Sequence, residues 1–359
     1  MSSIIETRTL RLPALILGGA GFSYQLHPDP KSIPVSKIIR RAFDAGMRAI
    51  DTSPYYEPSE ELLGSALASV DVTSKYSRSD YILMTKVGRV SAEEFNYSPE
   101  WIRTSVSRSL DRLGTSYLDV VFCHDVEFVS PEEAIEAVGA LFELSDRGII
   151  KHVGISGYSI DRLIHVAKAV LEKYQRPLDI VQNWSQLNLL NSRLERYGIP
   201  ELRKAGVSVI CSSSPLASGL LRSSDVPSGK LGDWHPAPEG LRKAVRQISN
   251  FVEAQGSTLA ALALRFSLAR ASRVSRDGVS VHTIIGICSI GDVEENLLVI
   301  EGMLRPNGAE NKPIADTLGV SSFSRERETA DLELHRQIQE TLGEWAEFDF
   351  QTGKRVSRI

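Results

Sequence analysis

Short apolar segments alternate along this chain with longer segments of helical periodicity. Eight of the short segments are apolar nearly throughout, which predicts strands that are buried on both faces. They are residues 14–19, 48–52, 81–87, 118–124, 151–156, 178–184, 207–214 and 282–287. Each is followed by a polar or glycine-rich turn, so the chain reads as a succession of strands and helices.

The segment SPEWIRTSVSRSLDRLG is typical of a capped helix. Ser98 is suited to cap the first turn, Pro99 takes the first helical position, and Gly114 follows the last turn. The segment from Ser130 to Gly148 repeats this pattern. A strand followed by a helix, repeated eight times, predicts parallel strands that close as a (β/α)8 TIM barrel. A doubly wound open sheet is the alternative, but LGGAGFS does not match its G-x-G-x-x-G turn.

Two segments fall outside the repeating unit. Residues 222–240 are rich in glycine, proline and serine, which predicts a long loop after the seventh strand. Residues 305–359 form a C-terminal extension that we expect to pack on or near the barrel. Loops of this length in a compact domain are commonly functional. We expect residues 1–359 to form a single barrel domain.

Composition narrows the class of protein and its partners. The net charge is −4, and we find no basic stripe suited to nucleic acid or an anionic membrane. Cys123, Cys211 and Cys288 are a sparse, odd set, which favours a reducing compartment. The first segment, MSSIIETRTLRLP, lacks the apolar stretch of a secretory signal. We therefore expect a cytoplasmic monomer or weak oligomer that acts on a small molecule.

Four side chains of matching chemistry fall at or just after the ends of three consecutive predicted strands. They are Asp51 and Tyr56 after the second strand, Lys86 in the third and His124 at the end of the fourth. Each alone has an ordinary structural explanation, such as a helix cap, a surface lysine or a buried histidine. The carboxyl ends of barrel strands share one mouth, so together these residues predict an active site.

Several segments resemble the aldo-keto reductase family in the same order along the chain. They are GMRAIDTSPYYEPSEELLG, ILMTKVG, EWIRTSVSRSLDRLGTSYLDVVFCHD, GIIKHVGISGY and SSSPLASGLL, and the resemblance runs from about Ala14 to Leu298. It implies a (β/α)8 barrel that uses a nicotinamide cofactor without a Rossmann domain. Its tetrad falls on Asp51, Tyr56, Lys86 and His124. The family tyrosine lies five residues after the aspartate, which selects Tyr56 rather than Tyr55.

The chemistry of the tetrad is consistent with this assignment. A free phenol has a pKa of about 10, so we expect the Lys86 ammonium to lower the pKa of Tyr56. Asp51 would pair with Lys86, and His124 would hydrogen-bond the reacting oxygen. Tyr56 would take the proton in alcohol oxidation and donate it in carbonyl reduction. The nicotinamide would carry the hydride.

The resemblance also implies where the dinucleotide binds. We expect its contacts to be Gly19, Ala20, Ser156, Gln182, Asn183, Trp184, Ser213, Ser214, Leu216, Ser218, Gly286, Cys288, Asp292, Glu295 and Asn296. Gly157 replaces the family asparagine, which puts one carboxamide contact in doubt. Gln182, Asn183 and Gln186 are alternatives for the family glutamine. Ser213 replaces the stacking aromatic residue, and we hypothesise that Trp184 supplies that face instead.

The last predicted loop indicates which dinucleotide is preferred. Family members that prefer NADP carry Lys or Arg where this chain has Gly286 and Asp292. With no cation expected in reach, Asp292 would repel a 2′-phosphate, so we predict NAD. Within the family the chain most resembles the D-arabinose 1-dehydrogenase and L-galactose dehydrogenase branch. That resemblance implies oxidation of an aldose at C1 to the aldonolactone.

We expect the substrate walls to include Phe22, Tyr55, His124 and Trp184, with Trp101 or a neighbour. One alternative is an NAD(P)H-dependent aldehyde or ketone reductase of broad specificity. A regulatory cofactor-binding subunit, and a barrel isomerase or Schiff-base aldolase that uses Lys86, are further alternatives. No H-E-x-x-H motif or paired cysteine spacing occurs, so we expect no metal.

Overall fold

Eight parallel strands close into a barrel, which confirms the predicted (β/α)8 fold. The computed structural model describes residues 10–222, 235–304, 323–350 and 354–355. The barrel strands are β1 (Leu15–Gly18), β2 (Ala49–Asp51), β3 (Ile82–Val87), β4 (Leu118–His124), β5 (Ile150–Gly157), β6 (Ile180–Trp184), β7 (Val209–Ser213) and β8 (Ser280–Gly286). Strand β1 pairs with both β2 and β8 in parallel, so the sheet is closed and the doubly wound alternative is excluded.

Helices surround the barrel and connect its strands. They are α1 (Val35–Asp44), α2 (Ser59–Leu67), α3 (Val70–Thr73), α4 (Pro99–Leu113), α5 (Pro131–Asp146), α6 (Ile160–Tyr174), α7 (Ile199–Lys204), α8 (Glu239–Ala254), α9 (Leu259–Val274), α10 (Ile290–Glu301) and α11 (Arg325–Leu342). The predicted caps are present on α4. Ser98 Oγ accepts a hydrogen bond from Trp101 N at 3.3 Å, and Gly114 ends the helix in the left-handed region at φ 63°.

Apolar side chains fill the interior of the barrel, so the mouth has a solid floor. The inward-facing set is fully or almost fully buried: Ile16, Ala49, Met84, Val120, Phe122, Ile180, Val209, Cys211 and Ile284. A larger apolar layer lies between the strands and the helices. The polar side chains that end the strands therefore lie above a packed core, at the carboxyl end of the barrel.

The described part of the C-terminal extension lies against α9 and the loop after β6. Arg265 forms an ion pair with Asp331 of α11 at 2.8 Å. Asn191 Nδ2 donates to the backbone oxygen of Phe348 at 3.1 Å, which holds strand β9 (Phe348–Asp349) in place. Strand β9 pairs with β10 (Lys354–Arg355) in an antiparallel ribbon. Most of the predicted loop 222–240, residues 223–234, lies outside the described residues, as do residues 305–322.

Within the described ranges, no helix combines the length and apolar character needed to cross a membrane.

Candidate active site

A buried ion pair lies at the centre of the barrel mouth. Lys86 Nζ donates to Asp51 Oδ2 at 2.7 Å and to the backbone oxygen of Thr52 at 2.9 Å. The Lys86 side chain is 1% exposed and that of Asp51 is 5% exposed. Each charge is stable in this position only because the other compensates it. The parallel register of β2 and β3 brings the two side chains together.

Tyr56 faces the same cleft from the loop after β2. Its ring centroid is 5.1 Å from Lys86 Nζ and 5.8 Å from the ring centroid of His124, which lies perpendicular to it. Burial raises the pKa of Tyr56 well above its ordinary value, and the Asp51 carboxylate raises it further. The expectation of a lowered pKa is therefore wrong for the free site, because burial and the Asp51 charge raise the pKa of Tyr56. Tyr56 is a protonated phenol at neutral pH.

His124 is neutral, and both its ring and its backbone are hydrogen-bonded. Its Nδ1 lies 3.1 Å from Ser53 Oγ, and its backbone oxygen accepts a hydrogen bond from the Tyr97 hydroxyl. Burial lowers the pKa of His124 well below its ordinary value, and the charges of Lys86 and Arg89 lower it further. A neutral imidazole can donate to, or accept from, a substrate oxygen through the nitrogen that faces it.

An open cleft lies at the barrel mouth beside the tetrad. The empty space of the cleft is about 1210 Å³, a figure that includes its open, solvent-filled side. The predicted cofactor contacts that line it are Ala20, Gln182, Trp184, Ser213, Ser214, Leu216, Ser218, Gly286 and Cys288. Asp51 and Tyr56 also line it, so the proton-transfer group and the proposed cofactor contacts share one space.

Other predicted cofactor contacts lie behind this surface. Asn183 is fully buried, and its Nδ2 donates to Gly157 O and to Gln186 Oε1. Of the three alternatives for the family glutamine, Gln182 is therefore the one that lines the cleft. Ser156 is buried beside His124 in the β4–β5 register. Gly19 is buried against Ser59, with an added Cβ lying 2.9 Å from its hydroxyl oxygen.

The residues present fit a nicotinamide carboxamide. Gln182 is buried and lines the cleft, and its Oε1 has no hydrogen-bond partner within the described structure. Asp51 Oδ1, close to it, also lacks a partner there. Unpaired buried acceptors are costly unless a ligand supplies donors. The carboxamide N–H groups are donors of the required kind.

Glu127 occupies the space beside Gly157, which sequence reasoning missed. A Cβ at Gly157 would lie 2.2 Å from Glu127 Oε2, so a larger residue cannot fit there without a shift. Glu127 Oε1 accepts hydrogen bonds from the backbone nitrogens of Tyr158 and Ser159 at the start of α6. Burial, together with the nearby Asp125 charge, raises the pKa of Glu127 to about 7. The exchange of the family asparagine for glycine is thus matched by a glutamate from the preceding loop.

The charges near the cleft differ from those expected, because Asp292 caps a helix and Arg222 lines the cleft. The Asp292 carboxylate caps α10, because it accepts hydrogen bonds from Cys288 N at 2.8 Å and Ser289 N at 3.1 Å. The expectation that no cation is in reach is wrong, since Arg222 lines the same cleft as Cys288. Arg222 directly follows the SPLASGLL segment, which was its only sequence signal. On α10, Glu295 is exposed and Asn296 is buried.

The substrate side of the mouth is more aromatic than expected, and Phe22 does not belong to it. Phe22 has no exposed surface and packs in the main core, because the short helix Gly19–Phe22 turns its ring inward. The prediction for Phe22 is therefore wrong. Trp184 lines the cleft between Tyr158, at 4.8 Å between ring centroids, and Phe350 of the extension, at 5.7 Å. Tyr55 lies 6.0 Å from the His124 ring.

Comparison with known proteins identifies the family. A model of the aldo/keto reductase family matches residues 14–307. The chain belongs to the aldo/keto reductase family. This aldo/keto reductase is 42% identical to D-arabinose 1-dehydrogenase of Saccharomyces cerevisiae over 256 residues, which are 71% of this chain and 74% of that relative. It is 35% identical to L-galactose dehydrogenase of Arabidopsis thaliana over 265 residues, covering 73% and 76% of the two chains. The predicted family is confirmed.

A solved structure agrees with the fold of this aldo/keto reductase. A glycerol dehydrogenase from Gluconobacter oxydans superposes with a TM-score of 0.61 at 22% identity, covering 93% of this chain and 96% of that one. At this level of identity the likeness supports the barrel architecture alone.

Proposed function

We propose that this aldo/keto reductase oxidises an aldose, D-arabinose, L-galactose or a stereochemical relative, at C1 to the aldonolactone with NAD. The observation that carries the proposal is the buried Asp51–Lys86 pair beside Tyr56, at a cleft that most of the predicted cofactor contacts line. The named activities of the two sugar dehydrogenase relatives support the substrate class. An aromatic wall that includes Trp184, Tyr158 and Tyr55 suits the apolar face of a sugar ring.

The proton chemistry is assigned to Tyr56. In carbonyl reduction its hydroxyl donates a proton to the substrate oxygen, which the raised pKa of Tyr56 favours. In aldose oxidation the same oxygen receives the C1 hydroxyl proton, so the step requires phenolate and accelerates as pH rises. Lys86 is the cation that stabilises this phenolate, 5.1 Å from the ring. The nicotinamide, when bound, supplies or accepts the hydride.

NAD is proposed rather than NADP on the charge of the loop and helix that follow β8. Asp292 keeps a carboxylate at the start of α10, and the loop from Gly286 to Asp292 carries no basic residue. A 2′-phosphate placed there would be repelled. Arg222 reaches the cleft from the opposite loop, and we assign it to the diphosphate that both dinucleotides carry.

A broad aldehyde or ketone reductase is the second candidate. Two observations favour it: the protonated Tyr56 is poised to donate, and Arg222 offers a cation to a phosphorylated dinucleotide. All three cysteines are free thiols, which supports a cytoplasmic location for either function.

The experiment is an initial-rate assay of NADH formation from NAD with D-arabinose, L-galactose, L-fucose and D-glucose, with NADP run alongside. Tyr56→Phe is the test variant and Tyr55→Phe the matched control one position away. Oxidation of one aldose by wild type and the control, lost in Tyr56→Phe, supports the proposal. Reduction of simple aldehydes by NADPH without aldose oxidation would replace it with the second candidate.

A further inference from the structure

A charged cluster that lies outside the tetrad approaches the Nε2 side of the His124 ring. Asp125 directly follows His124 and has left-handed backbone geometry, with φ 59°. This turn brings its carboxylate back toward the preceding ring, and Asp125 Oδ2 lies 3.6 Å from His124 Nε2. The Asp125 side chain is 6% exposed. Left-handed backbone geometry is uncommon outside glycine, and a buried carboxylate is costly unless its neighbours stabilise it.

Arg89 fixes the Asp125 carboxylate in that position. Its guanidinium donates to Asp125 Oδ2 and, at 3.3 Å, to the Tyr55 hydroxyl. The guanidinium carbon also lies 4.0 Å from the Tyr55 ring centroid. Because the Arg89 fork is rigid and already stacked, Asp125 is held in one orientation toward the imidazole.

The two nitrogens of His124 meet groups of different kinds. Ser53 Oγ already accepts a hydrogen bond from Tyr55 N at 3.2 Å, which leaves its own hydrogen available to His124 Nδ1 at 3.1 Å. On the other side, the Asp125 charge near Nε2 favours a proton there over a lone pair. The Ser53 contact permits the neutral tautomer with hydrogen on Nε2, and the Asp125 charge favours it.

The remaining groups around the ring keep it neutral. Lys86 from β3 and Arg89 from the following loop are cations that oppose a second proton on the imidazole. Tyr55 and Tyr56, from the loop after β2, form edge-on ring contacts with His124, at 6.0 and 5.8 Å between ring centroids. Asp51 is compensated by Lys86.

We propose that Asp125 is a positioning residue that holds His124 as the Nε2–H tautomer, so that Nε2 donates a hydrogen bond to the reacting oxygen. The catalytic consequence rests on the proposed function together with the expected hydrogen bond from His124 to that oxygen. In the opposite tautomer Nε2 would present a lone pair and would not stabilise negative charge developing on the oxygen.

The test is nitrogen-15 NMR of the protein labelled at histidine, in the absence of substrate. The His124 signals are those that disappear in His124→Gln. The expected result for wild type at neutral to mildly alkaline pH is one tautomer with the proton on Nε2. In Asp125→Asn we expect a mixture of the two tautomers. The matched control is Glu127→Gln, which removes a neighbouring buried carboxylate that does not contact the ring.

The wild-type protein provides a second route if Asp125→Asn fails to fold. Burial raises the pKa of Asp125 to about 6, with Arg89 opposing the rise. Lowering the pH to about 5 therefore neutralises Asp125 while His124 stays uncharged. The tautomer should become mixed over this range. Glu127 titrates nearby, so the same titration in Glu127→Gln assigns the change to Asp125.

The inference would be overturned by an Nδ1–H tautomer in wild type. It would also be overturned by an Nε2–H tautomer that changes neither in Asp125→Asn nor when the pH is lowered to about 5. In enzyme assays Asp125→Asn should lower kcat by about 10- to 100-fold and leave the Kd for NAD unchanged. The NMR result is independent of any substrate. If no sugar is oxidised, the proposed function is overturned, but the assignment of the His124 tautomer is unaffected.

Discussion

The buried Asp51–Lys86 pair predicts a large and specific stability effect when one partner is removed. Lys86→Met keeps the length and volume of the side chain but removes the ammonium. Asp51 is then left with Gln182 Nε2, at 3.4 Å, as its hydrogen-bond donor among the described residues. Breaking a buried pair in this way costs about 3–5 kcal/mol of unfolding free energy, since Asp51 must either remain a desolvated charge or take up a proton.

The double variant separates the charge effect from the change of shape. Asp51→Asn combined with Lys86→Met removes both charges of this pair, and the amide has nearly the size of the carboxylate. We expect the free energy of unfolding of the double variant to lie within about 2 kcal/mol of the wild-type value. The coupling energy, which is the sum of the two single effects minus the double effect, should therefore be at least about 2 kcal/mol. Urea unfolding followed by circular dichroism measures all four proteins of the cycle at neutral pH.

The stability of Lys86→Met should depend on pH in a direction that the pKa of Asp51 determines. Burial raises the pKa of Asp51, and loss of Lys86 removes the charge that opposes this rise. The folded protein then holds a proton that the unfolded chain releases at about pH 4. The deficit of Lys86→Met should therefore shrink in acid and grow toward neutral pH. Additive single effects, or a deficit that is independent of pH, would refute a compensated buried pair.

Three further outcomes follow from the site and the extension. Tyr56→Phe should lower kcat by about 10²- to 10⁴-fold while Tyr55→Phe retains turnover, and equal losses in steady-state assays would contradict the assignment. Asp292→Asn should narrow the NAD over NADP preference by up to about fivefold in fluorescence titrations, and Arg222→Ala should weaken both dinucleotides; a change in NADP binding alone would assign Arg222 to the 2′-phosphate. Burial against Phe266 lowers the pKa of His335 to about 4. Unfolded chains protonate His335 first, so acid between pH 6.5 and about 4 should remove up to about 3 kcal/mol of stability, and His335→Gln should abolish that loss in pH-dependent melting.

The elements and the tetrad were predictable because each depends on local pattern and on barrel topology. Apolar runs identified the strands, and Ser98 and Gly114 identified the ends of α4. Once the strands are parallel and closed, residues at their carboxyl ends must meet, which explains why Asp51, Lys86 and His124 were found from the sequence.

The errors concern side-chain direction and long-range charge, which periodicity does not contain. Phe22 is near the mouth along the chain, but its short helix turns the ring into the core. The pKa of Tyr56 was misjudged because the sequence shows neither the burial of its ring nor the Asp51 charge near it. Glu127 fills the space left at Gly157, and Arg222 enters the cleft from another loop. Such contacts join residues that only the fold brings together.

Transfer of deuterium from an aldose labelled at C1 tests the central claim most directly. The labelled sugar is incubated with NAD and the enzyme, and the reduced cofactor and the sugar product are analysed by mass spectrometry. We predict deuterated NADH together with the aldonolactone from wild type, and neither product from Tyr56→Phe. Unlabelled NADH, or no transfer from any aldose by an enzyme that reduces simple aldehydes with NADPH, would contradict aldose oxidation at C1.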